Sequence, residues 1–116
     1  MERYKMEIKD IPGHEGVKLI ELSGELDQNT TQKMQEELAA FIEKGNIYLI
    51  ADISNVKFCN SRGILIFLDC HTMTQKHHGY FRICEPSKGM LEMFNLLGFS
   101  KVIPIYDTLE EALKAQ

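Results

Sequence analysis

At 116 residues, 44% hydrophobic and 26% charged, the chain can bury one core but not two, so a single domain over 1–116 is expected. A formal net charge of −4, with the acidic excess in residues 1–58, excludes the clustered positive field of a phosphate-backbone binder. No direct nucleic-acid contact is expected, and a charged partner of the first half should be basic. The three cysteines (Cys59, Cys70, Cys84) form no C-x-x-C pair, which argues against a disulfide framework or a zinc finger. With no leader-like segment and no apolar run of membrane length, a cytoplasmic protein without membrane insertion is expected.

Met6, Ile8 and Ile11 mark a first strand that breaks at Pro12-Gly13-His14-Glu15-Gly16. A second strand follows, with Val17, Leu19 or Ile20, and Leu22 as its apolar face, so the two read as a hairpin. From Thr31 the period becomes helical, with Met34, Leu38, Phe41 and Ile42 on one stripe. Asn29 with Gln32 fits a capping box, Asp27 is the competing N-cap, and Gly45-Asn46 ends the helix. Ile47 to Ile53 is nearly continuous apolar sequence, the signature of a central strand covered on both faces.

A second helix is expected from Ser61 to about Lys76, with Gly79 as its stop. Its first half, Ile64 to Leu68, is apolar all round and should be packed into the body. Tyr80 to Cys84 reads as a short strand. Glu85-Pro86 opens a third helix, with the stripe Met90, Met93, Phe94 and Leu97 and with Gly98 as its C-terminal cap. Val102 to Ile105 reads as the last strand. Thr108 to Glu111 is a capping box for a terminal helix that turns Leu109, Ala112 and Leu113 inward.

The order β-β-α-β-α-β-α-β-α implies an α/β domain: a mixed, mostly parallel sheet of about five strands, with an initial hairpin and four helices. Such sheets carry functional loops at the carboxyl ends of their strands. That rule points to Ser23-Gly24-Glu25-Leu26-Asp27 and to the stretch from Ser54 to Ile64. In the second, Ser61 stands where a buried helix begins. The plain reading of Asn60 or Ser61 is an N-cap. The sharper one is a modification site, because free N–H groups and the positive end of a helix dipole tolerate a phosphate without refolding.

These segments resemble the STAS-domain proteins, the anti-sigma-factor antagonist family of bacteria. Ser-Gly-Glu-Leu-Asp at 23–27 is similar to one family motif. Phe58-Cys-Asn-Ser-Arg-Gly-Ile64 is similar to the family segment Phe-x-Asp-Ser-Ser/Ala-Gly-Leu/Ile. The run from Pro86 through Met90, Phe94, Leu97-Gly98-Phe99, Val102 and Pro104 to Leu113 matches in type and spacing. The resemblance covers essentially the whole chain and implies a single STAS-like domain.

It also implies partner switching. Unmodified, such a protein docks on an anti-sigma factor that is itself a serine kinase, and a sigma factor is released. Phosphorylation of the serine matching Ser61 ends the contact, and a serine phosphatase resets it. Glu25, Asp27, Asn60, Ser61, Arg62 and Gly63 are the implied partner-binding positions, with Ser61 the phosphorylation site, no cofactor, and a monomer or weak dimer. Two positions depart from the pattern: Asn60 replaces an aspartate, and Arg62 replaces a small residue. Both thin the negative charge around Ser61, and Arg62 adds a cation able to bind phosphate bidentately. The alternative function is an unphosphorylated STAS adaptor or scaffold in a signalling or transporter complex.

Enzymatic readings are weaker. Cys59 lies too close to Arg62 for a phosphatase-type anion loop, and Cys84 at a strand end reads as core. His71 and His78, seven apart on one helical face, do not converge on one ion as an i, i+4 pair does. Gly24 and Gly63 form no phosphate-binding glycine motif. Asp52 and Asp27 lie at the same predicted edge as a conceivable carboxylate pair, but no base or metal set accompanies them.

Overall fold

In the computed structural model, which describes residues 4–27 and 30–115, five strands lie in the order β1-β2-β3-β4-β5. They are β1 (Tyr4–Asp10), β2 (Val17–Leu26), β3 (Tyr48–Cys59), β4 (Tyr80–Cys84) and β5 (Ile105–Tyr106). β1 runs antiparallel to β2, and every later pair is parallel. The helices are α1 (Thr31–Glu43), α2 (Ser61–Lys76), α3 (Lys88–Leu96) and α4 (Leu109–Lys114), with a 3₁₀ turn at Phe99–Lys101. The expected α/β order of five strands and four helices is thus present.

Each parallel crossover advances one strand in the same direction, and right-handed crossovers then place their helices on one face. Met34, Leu38 and Ile42 of α1, Ile66, Phe67 and Cys70 of α2, and Met90 and Phe94 of α3 accordingly share one core with Ile20, Leu49, Ala51 and Ile83. Among the described residues, α4 is the helix that covers the opposite face, through Ala112 against Leu19, Ile50 and Cys84. Leu19 and Ile20, read as alternatives, are both buried, one on each face of β2. A period-2 strand with both faces covered has no alternation to reveal its register.

Several boundaries differ from the sequence reading. β2 does not stop at Leu22, nor β3 at Ile53. Ser23–Leu26 pairs with Asn55–Cys59 as a parallel extension broken by two register shifts, between Glu21 and Ser23 and between Gly24 and Glu25. Bulges destroy the alternation that marks a strand, so polar, glycine-containing sequence read as loop. At α1 the N-cap position is Thr30, without a side-chain cap bond. Asn29 lies outside the described residues, and Asp27 contributes its backbone carbonyl to the N–H groups of Thr30 and Thr31.

α2 has the expected span, but it is not buried all round: Leu65 is 53% exposed. Its left-handed stop is His78, at φ 66°. Gly79 is needed for another reason, since a Cβ there would overlap the Ile47 carbonyl as the chain enters β4. α3 starts at Lys88 rather than Glu85, capped by Ser87, whose Oγ accepts from Met90 N–H at 3.2 Å. Glu85 instead adopts φ 60° and its Oε2 accepts the Leu109 N–H at 2.9 Å, capping α4 from 24 residues away. Leu97, expected inward, is exposed. The chain turns at Gly98 and inserts Phe99, which stacks on Phe94 at 4.9 Å. The last strand is displaced from Val102–Ile105 to Ile105–Tyr106, and Val102 is exposed. Thr108 caps α4 as expected, accepting from Glu111 N–H at 3.1 Å.

A buried cation ties α4 to the sheet. The Arg82 guanidinium lies 3.6 Å from the centre of the Tyr80 ring and donates to the Ala112 carbonyl at 2.8 Å, near the carboxyl end of α4. Arg82→Met should therefore cost about 1–3 kcal/mol by leaving that buried carbonyl unpaired. The expected outcome is a melting temperature lower by several degrees, with faster hydrogen exchange in α4 than in β3. Unchanged exchange in α4 would show that the contact does not hold the helix.

Candidate functional site

The parallel extension of β2 and β3 ends with Glu25 opposite Phe58 and Leu26 opposite Cys59. The Asn60 N–H then donates to the Leu26 carbonyl at 3.1 Å, which fixes the point where the chain leaves the sheet and turns into α2. Asn60 is the N-cap of α2. Its Oδ1 accepts from the N–H groups of Arg62 at 3.0 Å and Gly63 at 3.3 Å, and its carbonyl from Ile64 N–H at 3.1 Å. This decides between the two cap candidates: Asn60 caps, and Ser61 is the first helical residue, exposed and released from that task.

Gly63 is where the helix meets the sheet. A Cβ built there would lie 2.5 Å from Cys59 Sγ and 3.1 Å from Leu26 Cβ. A larger residue needs either the Cys59 thiol or α2 to give way, so this close approach seats the first turn of α2 on the strand ends. On the neighbouring strand, Thr30 Oγ1 donates to the Glu25 carbonyl at 2.9 Å and accepts from Asp27 N–H at 3.0 Å, closing the turn towards α1. The Asp27 carboxylate is 3.4 Å from the same hydroxyl. Glu25, Asp27, Asn60, Ser61, Arg62 and Gly63 are therefore assembled at one end of the sheet. Glu25, Ser61 and Arg62 are exposed, Asp27 and Asn60 half-buried, and Gly63 buried.

Two large apolar side chains within four residues of Ser61 in the chain are exposed. Phe58 is 51% exposed and Leu65 is 53% exposed, on either side of Ser61 in the chain. Leu65 lies in the apolar stretch that reads as packed into the body, and Phe58 in the motif-bearing stretch after Ile53, where sequence reasoning assigns it no role; at the end of β3 and on α2 both are exposed. Between α1 and α2 a groove of about 570 Å³ opens beside Arg62, with Leu65 and Asp69 also in its wall.

No acidic residue occupies the first turn of α2, and the cap is a neutral amide. Burial pushes the Cys59 thiol up to about 12, so it is a protonated, packed side chain. Asp52 is not at this edge: β3 continues seven residues beyond it, roughly 20 Å at strand rise, and its Oδ1 accepts from Ser54 N–H. The conceivable pairing of Asp52 with Asp27 is thus overturned. His78 leaves the helix that carries His71, so the two do not share a helical face.

Residues 9–112 match the model of the STAS domain. The chain belongs to the STAS-domain family. Among curated proteins it is similar to an anti-sigma F factor antagonist of Paenibacillus polymyxa, 26% identical over 101 residues and covering 86% of each chain. Among solved structures it is similar to an anti-sigma factor antagonist from Mycobacterium paratuberculosis, with a TM-score of 0.82, 27% identity, and coverage of 95% of this chain and 91% of that one. The fold also matches the Bacillus cell-fate determinant SpoIIAA in its phosphorylated form. There the TM-score is 0.72 at 21% identity, with 94% and 96% of the two chains covered. Among the described residues, no helix of this STAS domain is long and apolar enough to cross a membrane.

Two outcomes follow from the packing. Gly63→Ala should overpack the junction and cost about 1–3 kcal/mol, with the amide shifts of Leu26, Cys59 and Ser61 moving together. A stability equal to wild type would mean that the junction yields freely. Burial also pushes Cys70 and Cys84 up to about 12, as it does Cys59, from an ordinary 9.0. Neutral burial of these thiols stabilises the fold below about pH 9, and that contribution is lost as pH rises towards 12. At pH 8 all three should stay unreactive to a disulfide reagent in native protein and react on unfolding. Rapid native labelling of Cys59 would contradict its placement.

Proposed function

We propose that this STAS domain is an anti-sigma-factor antagonist switched at Ser61. Unmodified, it binds an anti-sigma factor that is also a serine kinase, and a sigma factor is thereby released. That kinase phosphorylates Ser61 and ends the contact, and a serine phosphatase restores it. The observation that carries the reading is the exposed Ser61 hydroxyl at the first position of α2, freed from capping by Asn60 and flanked by exposed Phe58 and Leu65. The names of the similar proteins support the same role.

The geometry accounts for how a phosphate would act. It would add about −1.5 to −2 charges at a helix start whose dipole and N–H groups favour an anion, so the fold is retained. The same charge would stand in the middle of a docking face. A partner packed over Phe58 and Leu65 would have to desolvate a dianion, and each 1.4 kcal/mol so lost is tenfold in affinity. Glu25, Asp27, Asn60, Arg62 and Gly63 frame that face, Gly63 by holding the helix down rather than by touching the partner. The protein acts as ligand and substrate and needs no catalytic group of its own.

The test uses the anti-sigma kinase of the same organism. Ser61→Ala should bind as wild type and take up no phosphate by intact mass after incubation with ATP and the kinase. Ser61→Asp should fold normally and bind at least about tenfold more weakly. Equal binding by wild type and both variants, together with no phosphate on the wild-type chain, would overturn the switch in favour of a constitutive adaptor.

A further inference from the structure

The geometry points to the α1–α2 groove as the element that selects the partner, taking an aliphatic side chain on Leu65 and a partner carboxylate on Arg62. This deepens the proposed function and rests on it, the partner being the anti-sigma factor.

Arg62 is an uncompensated cation. Its side chain is exposed and enters no ion pair among the described residues, although its backbone N–H is held by Asn60. α1 offers the groove only uncharged groups, Thr31, Gln32 and Gln35. The one carboxylate in the lining is Asp69, seven residues along α2 and about 10 Å from Arg62 by helix rise. Asp69 is already engaged, accepting from Gln35 Nε2 at 2.9 Å. The groove therefore has a charge polarity: beside Ser61 the Arg62 cation, unpaired among the described residues, and two turns away the Asp69 carboxylate, hydrogen-bonded to Gln35.

Leu65 is three residues from Arg62, so the two share a helix stripe. Ile66, 2% exposed, closes the floor beneath them. An apolar side chain one turn from a planar cation in a concave wall is complementary to a segment that carries an aliphatic and an acidic residue at similar spacing. Arginine adds direction as well as charge, because its fork binds a carboxylate in a fixed bidentate geometry. A phosphate on the adjacent Ser61 would compete for the same guanidinium and repel the partner's carboxylate. The cation that selects the partner would then also make the interface sensitive to the switch.

Binding of wild type, Arg62→Ala, Arg62→Glu and Leu65→Ala to the purified anti-sigma kinase, titrated against salt, tests this. Arg62→Ala should weaken binding roughly tenfold and flatten its salt dependence, and Arg62→Glu should weaken it further. Leu65→Ala should weaken binding while leaving the salt dependence as in wild type. Replacing the facing carboxylate of the kinase by lysine should restore binding to Arg62→Glu. Both positions are exposed, so melting temperatures should match wild type and separate lost binding from lost folding. If wild type binds and Ser61→Asp does not, yet Arg62→Glu binds within about twofold of wild type, the groove assignment falls and the proposed function stands. If wild type does not bind the kinase at all, both fall.

Discussion

The candidate site depends on the parallel pairing of β2 with β3, and above all on the last part of that pairing, where Leu26 lies opposite Cys59. The Asn60 N–H bonded to the Leu26 carbonyl closes the pair and sets where α2 starts. Gly63 then lets the first turn of the helix rest on Leu26 and Cys59 without a Cβ between them. Three contacts between distant segments thus place one hydroxyl. A loose loop could display a serine, but it could not hold that serine in register with Glu25 and Asp27 on another strand.

The division of labour across the sheet follows from the same topology. Three crossover helices on one face bury most of the apolar side chains, leaving α4 to cover the other face with help from Arg82 and Glu85. At the end of the sheet around Ser61, Leu26 and Cys59 belong to the core, while Phe58, Leu65, Ser61 and Arg62 are exposed. The groups that would feel a change of charge at Ser61 are surface groups and the helix-end dipole. Within the first turn of α2 the cap is a neutral amide and the charged residue is Arg62, while Glu25 and Asp27 supply the acidic groups at the same end of the sheet.

Much of the fold was legible in the chain because its signals are local. The Met34-Leu38-Ile42 stripe, the span of α2, the Tyr80–Cys84 strand and the Thr108 cap all follow from spacing within a few residues. The errors share a different origin. Ser54–Cys59 is a strand because a distant segment pairs with it, bulges included. Glu85 is left-handed rather than part of α3, and its carboxylate caps α4. Leu97 is exposed and Phe99 buried because the turn at Gly98 gives the inner position to an aromatic ring that stacks on Phe94. The strand pairing and the α4 cap lie far off in sequence, beyond any local window, whereas Phe94, Gly98 and Phe99 are close neighbours whose order of burial is decided by the rest of the core.

By itself, the sequence determined one acidic α/β chain, the order of its elements, and a motif-bearing serine at the start of a helix. It also specified Asn60 and Arg62 as the residues around that serine. Only the tertiary structure decided that Asn60 rather than Ser61 does the capping, that Gly63 is a packing requirement, and that Arg62 and Leu65 open onto a groove shared with α1. The reason is physical. Helical period and caps are set by neighbours in the chain, whereas exposure and charge compensation are set by whatever the fold brings alongside.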